Sequence, residues 1–405
     1  MEVSSYSSLE IFTGAGGLAL GLELSGWKHR LLIERDTNAS QTILHNKIRN
    51  HPLVKDWKLH TMDVRHFDYS EYLGKIDLVA GGPPCQPFSL GGKHKGKEDD
   101  RDMFPEAVRV INAVKPKMFL FENVKGLLRD SFSTYFEYIL LRLSFPYILQ
   151  KKNEDWISHL ARLEKEQTSG RKDECGYNVV FRCLNAADFG IPQNRHRVFI
   201  VGFRNDLDFE WSFPKSSHSL ERLLYDQWIS GEYWEKFKIS KREKYEPSKI
   251  FQSKINKLQN ELFNERIDLL PYSTVRSVIN DLPEPSAEIS TLPNHQFKGG
   301  AKKYPGHTGS PIDLPSKALK AGNHGVPGGE NMISFPDNSV RYFTVRESAR
   351  IQSFPDDYVF KGAWSEAMRQ LGNAVPVQLS RIIGESLIHP IQKDVKERNK
   401  KDKAL

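Results

Sequence analysis

The chain has 405 residues, enough for one large domain or two moderate ones. Its 58 basic and 51 acidic residues give a net charge of +7, which favours a polyanionic partner such as nucleic acid without requiring one. Because no apolar run approaches the ~18 residues of a membrane span, and the three cysteines show neither CxxC spacing nor an even count, we expect a soluble protein of a reducing, cytoplasmic compartment.

Apolar runs alternate with helical patterns through the first 200 residues. The stretches LEIF, HRLLIE, IDLVA, MFLFE, YNVVFRCL and RVFIVGF indicate strands, and GLALGLELSG and TNASQTILHNKI indicate helices. This alternation predicts an α/β fold with a doubly wound, mostly parallel sheet and helices on both faces.

A glycine-rich turn follows the first strand. Gly14 and Gly16 stand in the order G-x-G-x-x-A, which permits a tight turn and close approach of a ligand to the N-terminus of the next helix. Glu34 ends the next strand, where an acid can bind ribose hydroxyls, and Asp63 in TMDV closes the third candidate strand and can accept an adenine amino group. The turn predicts a nucleoside cofactor, with NAD and other adenosyl cofactors both open and an ordinary strand-to-helix turn as the alternative.

A cysteine between prolines follows the strand IDLVA, in GGPPCQPFS. A lone cysteine is commonly a small buried apolar residue. Cys85, however, follows a parallel strand at the sheet edge where open α/β folds bind ligands, and Pro83 and Pro84 restrict its backbone. The glycine-rich, basic text after it, SLGGKHKGKEDDRDMF, predicts a lid over a phosphate backbone or else a solvated loop.

An acid and two arginines complete this edge of the sheet. Glu122 follows MFLF, where desolvation raises the pKa of a carboxyl, so it is a candidate proton donor beside a thiol nucleophile. Arg195 and Arg197 lie two residues apart at a strand entry and should share one face that suits a phosphate or a base carbonyl. A carboxylate that caps NVKGLLRD, and alternating charge on a solvated edge, are the structural alternatives.

Composition changes after the sixth strand predict the domain limits. Residues 1–205 form the predicted catalytic and cofactor-binding domain, and residues 206–340, where the βα alternation stops, form a smaller, loop-rich domain. Residues 341–392 are predicted as helices that return to the first domain, and the charged tail 393–405 should fray. The charged stretch 145–177 contains DWISHLARLEKEQ, which predicts a surface helix.

Six sequence blocks, in their order along the chain, resemble those of the DNA (cytosine-5) methyltransferases of bacterial restriction-modification systems. The blocks are FTGAGG, GGPPCQPFS, FENV, QNRHR, TVRESARIQSFPDDY and QLGNAVP. The resemblance implies an S-adenosylmethionine-dependent methyltransferase fold, with S-adenosylhomocysteine as product and no metal. It makes Cys85 the nucleophile, Glu122 the acid, and Asn123, Arg195 and Arg197 the residues that position the target base. The residues that it places around the cofactor are Phe12, Gly14, Gly16, Gly17, Glu34, Asp63, Val64, Pro84, Met103 and Asn373.

The same resemblance implies double-stranded DNA as partner and residues 206–340 as the target-recognition domain. Around Cys85 the predicted DNA contacts are Gln86, Ser89, Lys93, Lys95 and Lys97. Within residues 206–340 the candidates are Arg276, Lys298, Lys302, Lys303 and His307, with a solvated surface as the alternative for each. We expect a monomer, associated with the bacterial nucleoid through DNA and paired in function with a restriction endonuclease, which this chain does not show.

The implied reaction explains the residue types. A Cys85 thiolate that adds to carbon 6 of cytosine, while Glu122 protonates ring nitrogen 3, makes carbon 5 nucleophilic enough to accept a methyl group. A paired cytosine must first be flipped out of the stack, and basic residues that hold the DNA backbone predict salt-sensitive binding.

Three other functions stay open on the sequence. A tRNA cytosine-5 methyltransferase would use the same fold and thiol, but the long recognition region favours duplex DNA. RNA enzymes of the other cytosine-5 class resemble a two-cysteine pattern, and neither Cys175 nor Cys183 has a matching setting. An NAD-dependent oxidoreductase would explain the glycine turn and leave PPCQPFS and QNRHR without a role. A non-catalytic DNA-binding regulator would need neither thiol nor acid.

Overall fold

The computed structural model describes residues 6–84, 102–170, 173–207, 209–260, 265–286, 292–321 and 331–402, with side chains up to residue 392. Within the first 205 residues the strands are β1 (Tyr6–Ile11), β2 (Trp27–Glu34), β3 (Leu59–Thr61), β4 (Leu78–Gly81), β5 (Met118–Val124), β6 (Tyr177–Asn185), β7 (Gln193–Asn194) and β8 (His196–Arg204).

Seven of these strands form one sheet in the order β3-β2-β1-β4-β5-β8-β6. The first five run parallel, and β8 is antiparallel to both β5 and β6. The chain order reverses between β1 and β4, and ligands bind at such a switch point, beyond the carboxyl ends of the strands. The predicted mostly parallel α/β sheet is confirmed.

Helices cover both faces of this sheet because its central strands are apolar on both sides. Along β5, Phe119 and Phe121 belong to one buried cluster, while Met118 and Leu120 belong to another on the opposite face. Continuous apolar strands of this kind are typical of parallel sheets. The helices in this part of the chain are α1 (Gly17–Leu24), α2 (Thr37–Ile48), α3 (Phe104–Val114), α4 (Ser133–Ser144) and α5 (Trp156–Thr168).

The predicted helix in the charged stretch 145–177 is α5. Asp155 caps its first turn, with its carboxylate accepting from the N–H groups of Ile157 and Ser158. On its inner face His159 is fully buried, and its ring bonds to the hydroxyl of Tyr138 on α4 at 2.8 Å. This helix therefore packs against α4 through a polar contact as well as apolar ones.

Short elements dominate residues 206–340. The strands are β9 (His218–Ser219), β10 (Leu270–Pro271), β11 (Ser310–Pro311), β12 (Ser316–Lys317), β13 (Met332–Ser334) and β14 (Val340–Tyr342), and the helices are α6 (Leu220–Trp228), α7 (Glu232–Lys236), α8 (Lys249–Asn260) and α9 (Val275–Ile279). Strand β12 pairs with β7, so this region is joined to the first by backbone hydrogen bonds. Val275, Ile312 and Ile333 also share a buried cluster with Ala19 and Leu32, so the division into domains stays a prediction.

Three helices, α10 (Val345–Ile351), α11 (Trp364–Asn373) and α12 (Val377–Asp402), close the chain. The predicted return to the first domain is visible at α1, where a Cβ on Gly17 would overlap the carbonyl oxygen of Val375 just before α12. Glycine therefore allows the two segments to touch. Helix α12 continues as far as Asp402 through the lysine-rich charged tail, whose fraying stays a prediction.

Candidate active site

The glycine turn between β1 and α1 takes a left-handed backbone conformation. Gly14 and Gly16 have φ angles of 58° and 89°, which residues with a Cβ rarely adopt. The N–H of Gly14 donates to Glu34 Oε2 at 2.7 Å, and the other carboxylate oxygen accepts the N–H of Asp36 at 2.6 Å. From the C-terminal part of the chain, the hydroxyl of Tyr358 donates to the carbonyl oxygen of Ala15 at 2.8 Å. The turn is thus fixed from two sides.

Space in front of this turn suits a nucleoside. A Cβ built on Gly14 would meet no heavy atom of the described residues within 4 Å, so the turn faces an open volume among them. Burial raises the pKa of Glu34, and the two backbone N–H groups partly oppose that rise. A desolvated carboxyl beside an open glycine turn is a suitable acceptor for ribose hydroxyls.

Asp63 lies two residues beyond β3, which ends at Thr61, so it follows the strand and does not close it. Its carboxylate caps the next turn and forms ion pairs with Arg65 at 2.7 Å and Arg35 at 3.4 Å. Hydrogen bonds from Arg65 hold the pKa of Asp63 well below its usual range. The predicted adenine acceptor is therefore an ionised carboxylate in a cationic setting.

The other predicted cofactor residues lie around the carboxyl ends of the strands. Val64 and Met103 are buried, Phe12 is half-buried with a φ of 57°, and Pro84 is exposed. The N–H of Met103 donates to the carbonyl oxygen of Pro84 at 3.1 Å, so the two flanks of residues 85–101 are joined.

Glu122 lies near the end of β5 and is 8% exposed. Its Oε1 is 2.7 Å from Nε of Arg197, and a Cβ on Gly82 would lie 3.3 Å from its Oε2. Burial raises the pKa of this carboxyl, while the charges of Arg197 and Arg195 oppose the rise. The carboxyl therefore lies beside the segment that leads to Cys85, in a setting that favours its protonated form.

Six of the predicted site residues lie outside the described residues: Cys85, Gln86, Ser89, Lys93, Lys95 and Lys97. The segment before them is fixed by Asn123, whose Nδ2 donates to the carbonyl oxygen of Pro83 at 3.0 Å and whose Oδ1 accepts the N–H of Val124 at 2.8 Å. Asn123 is 5% exposed and both ends of its amide bind backbone, so it holds the segment before Cys85, and its role in positioning the target base stays a prediction.

Arg195 differs from Arg197, although the sequence places the two together. Its side chain is fully buried, and its guanidinium donates to the carbonyl oxygens of Leu319 at 2.9 Å, Gly372 at 2.6 Å and Ala374 at 2.9 Å. Among the described residues its guanidinium is enclosed by backbone carbonyl groups and does not share an open face with Arg197, so a part in positioning the base, which stays a prediction, would be indirect. The physical reason is that chain segments far away in sequence bring carbonyl groups to the buried cation.

Asn373, the predicted residue at the methionine end of the cofactor, is exposed at the end of α11. Its neighbours Gly372 and Ala374 are both buried, and their carbonyl groups are those that Arg195 binds. The backbone is thus anchored on each side of an exposed amide.

The residues predicted to contact DNA in residues 206–340 differ in exposure and in their interaction partners. Arg276 binds the buried carboxylate of Asp313 at 2.5 and 3.1 Å, so its guanidinium is part of an internal ion pair and its prediction as a base reader is corrected. Lys298, Lys302 and Lys303 are exposed, and the ring of His307 packs on that of Tyr304.

Two buried glutamines were missed by reasoning from the sequence. Gln193 and Gln352 are both fully buried, and Nε2 of Gln193 donates to Oε1 of Gln352 at 3.1 Å. Their signals were the blocks QNRHR and ARIQSF, which contain them, but a glutamine in such a block does not indicate burial by itself.

A family model described as C-5 cytosine-specific DNA methylase matches residues 6–145 and 158–389. These ranges contain every described part of the site, from the glycine turn to Asn373. The chain belongs to this family of DNA methylases.

Curated relatives of the methylase support this assignment over its length. The Type II methyltransferase M.Eco47II of Escherichia coli is 32% identical over 96% of this chain and 80% of its own length. M.NgoMIV of Neisseria gonorrhoeae is 31% identical over 96% of this chain and 99% of its own length. The match is therefore to nearly whole proteins.

Solved structures share the fold. A prophage-encoded E. coli protein described as a DNA modification methyltransferase matches with a TM-score of 0.53 at 20% identity, over 96% of this chain and 100% of its own. The S. pombe Dnmt2 methyltransferase matches with 0.51 at 19% identity, over 95% and 99%. At these identities the likeness establishes the fold alone.

The methylase acts on cytosine in DNA, and its family implies S-adenosylmethionine as methyl donor. The open volume before Gly14, the shielded carboxyl of Glu34 and the exposed amide of Asn373 fit the ribose and amino-acid ends of such a donor. None of the helices within the described ranges is long and apolar enough to cross a membrane.

Proposed function

We propose that this methylase modifies carbon 5 of a cytosine that is flipped out of a specific short sequence in double-stranded DNA, through a covalent bond between Cys85 and carbon 6. The observation that carries the proposal is the position of Glu122, a buried carboxyl beside Gly82, three residues before Cys85. A proton donor and a thiol that follow neighbouring parallel strands supply both groups that the reaction needs.

The cofactor half of the proposed site consists of the glycine turn, Glu34, Asp63 and the turn around Asn373. Glu34 would bind the ribose hydroxyls, Asp63 the adenine amino group, and Asn373 the methionine end, with Phe12, Gly17, Val64, Pro84 and Met103 around them. S-adenosylmethionine, when bound, supplies an electrophilic methyl group.

In the base half of the proposed site, the first step forms one bond, between sulfur and carbon 6, and moves one proton, from Glu122 to ring nitrogen 3. The Cys85 sulfur adds its electron pair to carbon 6 while the Glu122 carboxylic acid gives its proton to ring nitrogen 3, which leaves carbon 5 electron-rich. Arg197, 2.7 Å from Glu122, then stabilises the carboxylate that remains. After methylation, the carbon 5 proton passes to solvent, the Cys85 thiolate departs, and ring nitrogen 3 returns its proton to the Glu122 carboxylate, which restores the aromatic ring.

The partner of this chemistry is double-stranded DNA. Flipping a base costs a few kcal/mol, and contacts from the basic loop after Cys85 and from residues 206–340 would offset it. The Type II relatives support a role in restriction-modification, in which methylation protects DNA from a cognate endonuclease. In that role the methylase would work as a monomer on the chromosome, in the bacterial cytoplasm.

Transfer of labelled methyl groups tests the proposal. The enzyme is incubated with labelled S-adenosylmethionine and either unmethylated genomic DNA or tRNA, next to the Cys85→Ser variant and a Cys175→Ser control. We expect label in DNA as 5-methylcytosine, lost in Cys85→Ser and kept in Cys175→Ser.

Other outcomes would change the proposal in different ways. Label only in tRNA would overturn the DNA substrate, and full activity of Cys85→Ser would overturn the covalent step. No label in either nucleic acid would favour a DNA-binding protein without catalysis.

A further inference from the structure

A short segment of the chain reaches both halves of the site. Arg197 points one way, to the carboxyl of Glu122 at 2.7 Å. Arg195, two residues earlier, binds the carbonyl groups of Gly372 and Ala374, on either side of Asn373. The base half and the cofactor half are therefore connected through residues 195–197.

Two buried glutamines extend this connection. Nε2 of Gln352 donates to the carbonyl oxygens of Leu371 at 2.5 Å and Ala374 at 3.2 Å, and its Oε1 accepts from Nε2 of Gln193. Oε1 of Gln193 accepts the N–H of Leu319 at 3.0 Å and lies 3.4 Å from Arg195 Nη1. All three side chains are fully buried, so their bonds have no competition from water.

The turn that they hold also touches the cofactor loop. Gly17, the first residue of α1, packs so closely on Val375 that a Cβ would overlap its carbonyl oxygen. Residues 372–375 thus lie between the glycine turn and Arg195. A displacement of this turn would move Asn373 relative to the cofactor loop.

The buried charge of Arg195 is unusual for a purely structural contact. Among the residues that the structure describes, no carboxylate forms an ion pair with Arg195, and its Nε has no hydrogen-bond partner. Burial of an arginine without a paired acid is costly, and backbone carbonyl dipoles compensate only in part. A cost of this kind is found where a charge fixes the geometry of a functional site.

We infer that Gln193, Arg195 and Gln352 form a positioning unit that holds the 371–375 turn, and with it Asn373, in register with the Glu122–Arg197 pair. The inference rests on the proposed function, because it assumes that Asn373 contacts the methyl donor. These three are positioning residues, since they act through the backbone of another segment. Their predicted effect is on cofactor affinity more than on the chemical step.

Gln352→Met tests the inference, because methionine fills a similar volume without the two donors. The matched control is Gln227→Met, since Gln227 is 2% exposed and its Nε2 donates to the carbonyl oxygen of Asp313 at 2.7 Å, in residues 206–340. The readouts are the melting temperature, the Kd for S-adenosylhomocysteine by calorimetry, and the KM and kcat for methyl transfer to unmethylated genomic DNA.

We expect both variants to lose similar melting temperature, since each loses buried hydrogen bonds. Only Gln352→Met should raise the Kd for S-adenosylhomocysteine and the KM for the donor, by about tenfold, with a smaller change in kcat. Arg195→Lys, which keeps the charge but cannot span both carbonyl groups, should also weaken binding. This variant keeps the test valid if Gln352→Met does not fold.

Each remaining outcome would contradict either the positioning unit or the proposed cofactor. If the unaltered enzyme binds S-adenosylhomocysteine and both Gln352→Met and Arg195→Lys bind it with the same Kd, the positioning unit is overturned and the proposed cofactor is not. Equal weakening in Gln352→Met and Gln227→Met would also overturn it, because the effect would then be general destabilisation. An unaltered enzyme that does not bind S-adenosylhomocysteine would instead refute the proposed cofactor.

Discussion

Two buried ion pairs, one at the sheet edge and one in residues 206–340, have similar geometry and different surroundings. Glu122 lies 2.7 Å from Arg197, and Asp313 lies 2.5 Å from Arg276. Asp313 also accepts the hydroxyl of Tyr233 at 2.9 Å, and both of its oxygens bind Arg276. Glu122 lies beside Gly82 at the ligand edge of the sheet, and burial raises its pKa.

This difference separates a carboxylate that holds the fold from a carboxyl that is available for chemistry. Around Asp313, several donors satisfy the negative charge, so the pair joins α7 and α9 to the strand region near residue 313. Around Glu122, desolvation raises the pKa of the carboxyl, and the nearby charge of Arg197 opposes that rise. The following variants test this difference between Glu122 and Asp313.

Glu122→Gln should have the largest effect, on activity. Loss of the acidic proton should reduce kcat by about a thousandfold, equivalent to ~4 kcal/mol of barrier, with the fold kept. Methyl transfer and the melting temperature are measured together. Glu154→Gln is the control, because Glu154 also pairs with an arginine, Arg162 at 2.7 Å, but lies in the stretch 145–177, and it should keep full activity.

Asp313→Ala should have the next largest effect, on stability. Removal of the acid leaves the largely buried Arg276 without its carboxylate and removes one hydrogen bond of Tyr233, which should lower the free energy of unfolding by about 3 kcal/mol. Denaturant unfolding measures the change. Asp226→Ala should cost less, since its partner Arg222 is partly exposed and also lies 3.9 Å from Glu232. An equal loss in both would mean that Asp313 has no special role in the fold.

The sign of the change in stability with pH should distinguish Glu122, the carboxyl at the sheet edge, from Glu154. The folded pKa of Glu122 is raised above its ordinary value of 4.5, so its contribution to stability is present below that value and is lost as pH rises through the folded pKa. The stability of Glu122→Gln relative to the unaltered enzyme should therefore increase with pH, by about 1.4 kcal/mol for each unit of displacement.

Glu154→Gln should show the opposite slope. Hydrogen bonds lower the pKa of Glu154, so its contribution is present above the unfolded pKa and is lost as pH falls. Unfolding at several pH values measures both variants. Parallel slopes would contradict the contrast between a desolvated and a satisfied carboxyl.

The smallest effect should come from exposed lysines in residues 206–340. If Lys302 and Lys303 contact phosphates, their joint change to Ala should reduce the slope of log affinity against log salt by up to about two units. Lys151→Ala with Lys152→Ala is the control, because both are exposed in the stretch that the family model does not match. An unchanged slope in the first variant would remove these two residues from the DNA interface.

The strands and the glycine turn could be predicted because their signals are local. The run MFLF shows that β5 is buried, and Glu122 directly after it is placed at the strand end by chain order alone. Gly14 and Glu34 are fixed by a turn and a strand that are adjacent in sequence. The family resemblance then added roles that spacing alone leaves open.

The rest depended on contacts between distant segments. Arg195 and Arg197 look equivalent in QNRHR, and only the carbonyl groups of Leu319, Gly372 and Ala374 distinguish them. Arg276 looks like a DNA contact until Asp313, 37 residues later, reaches it. A sequence pattern describes which side chains are charged, and tertiary contacts decide which of them stay accessible.

The close contact between Gly17 and Val375 has a consequence for how the enzyme is made. Strand β1 and the glycine turn leave the ribosome early, whereas the turn around Asn373 is synthesised more than 300 residues later. A nascent chain can therefore complete its parallel strands long before the segment that packs against Gly17 is made. Under the proposed role of Asn373, the binding site for the methyl donor is complete only when the late segment docks on the early one.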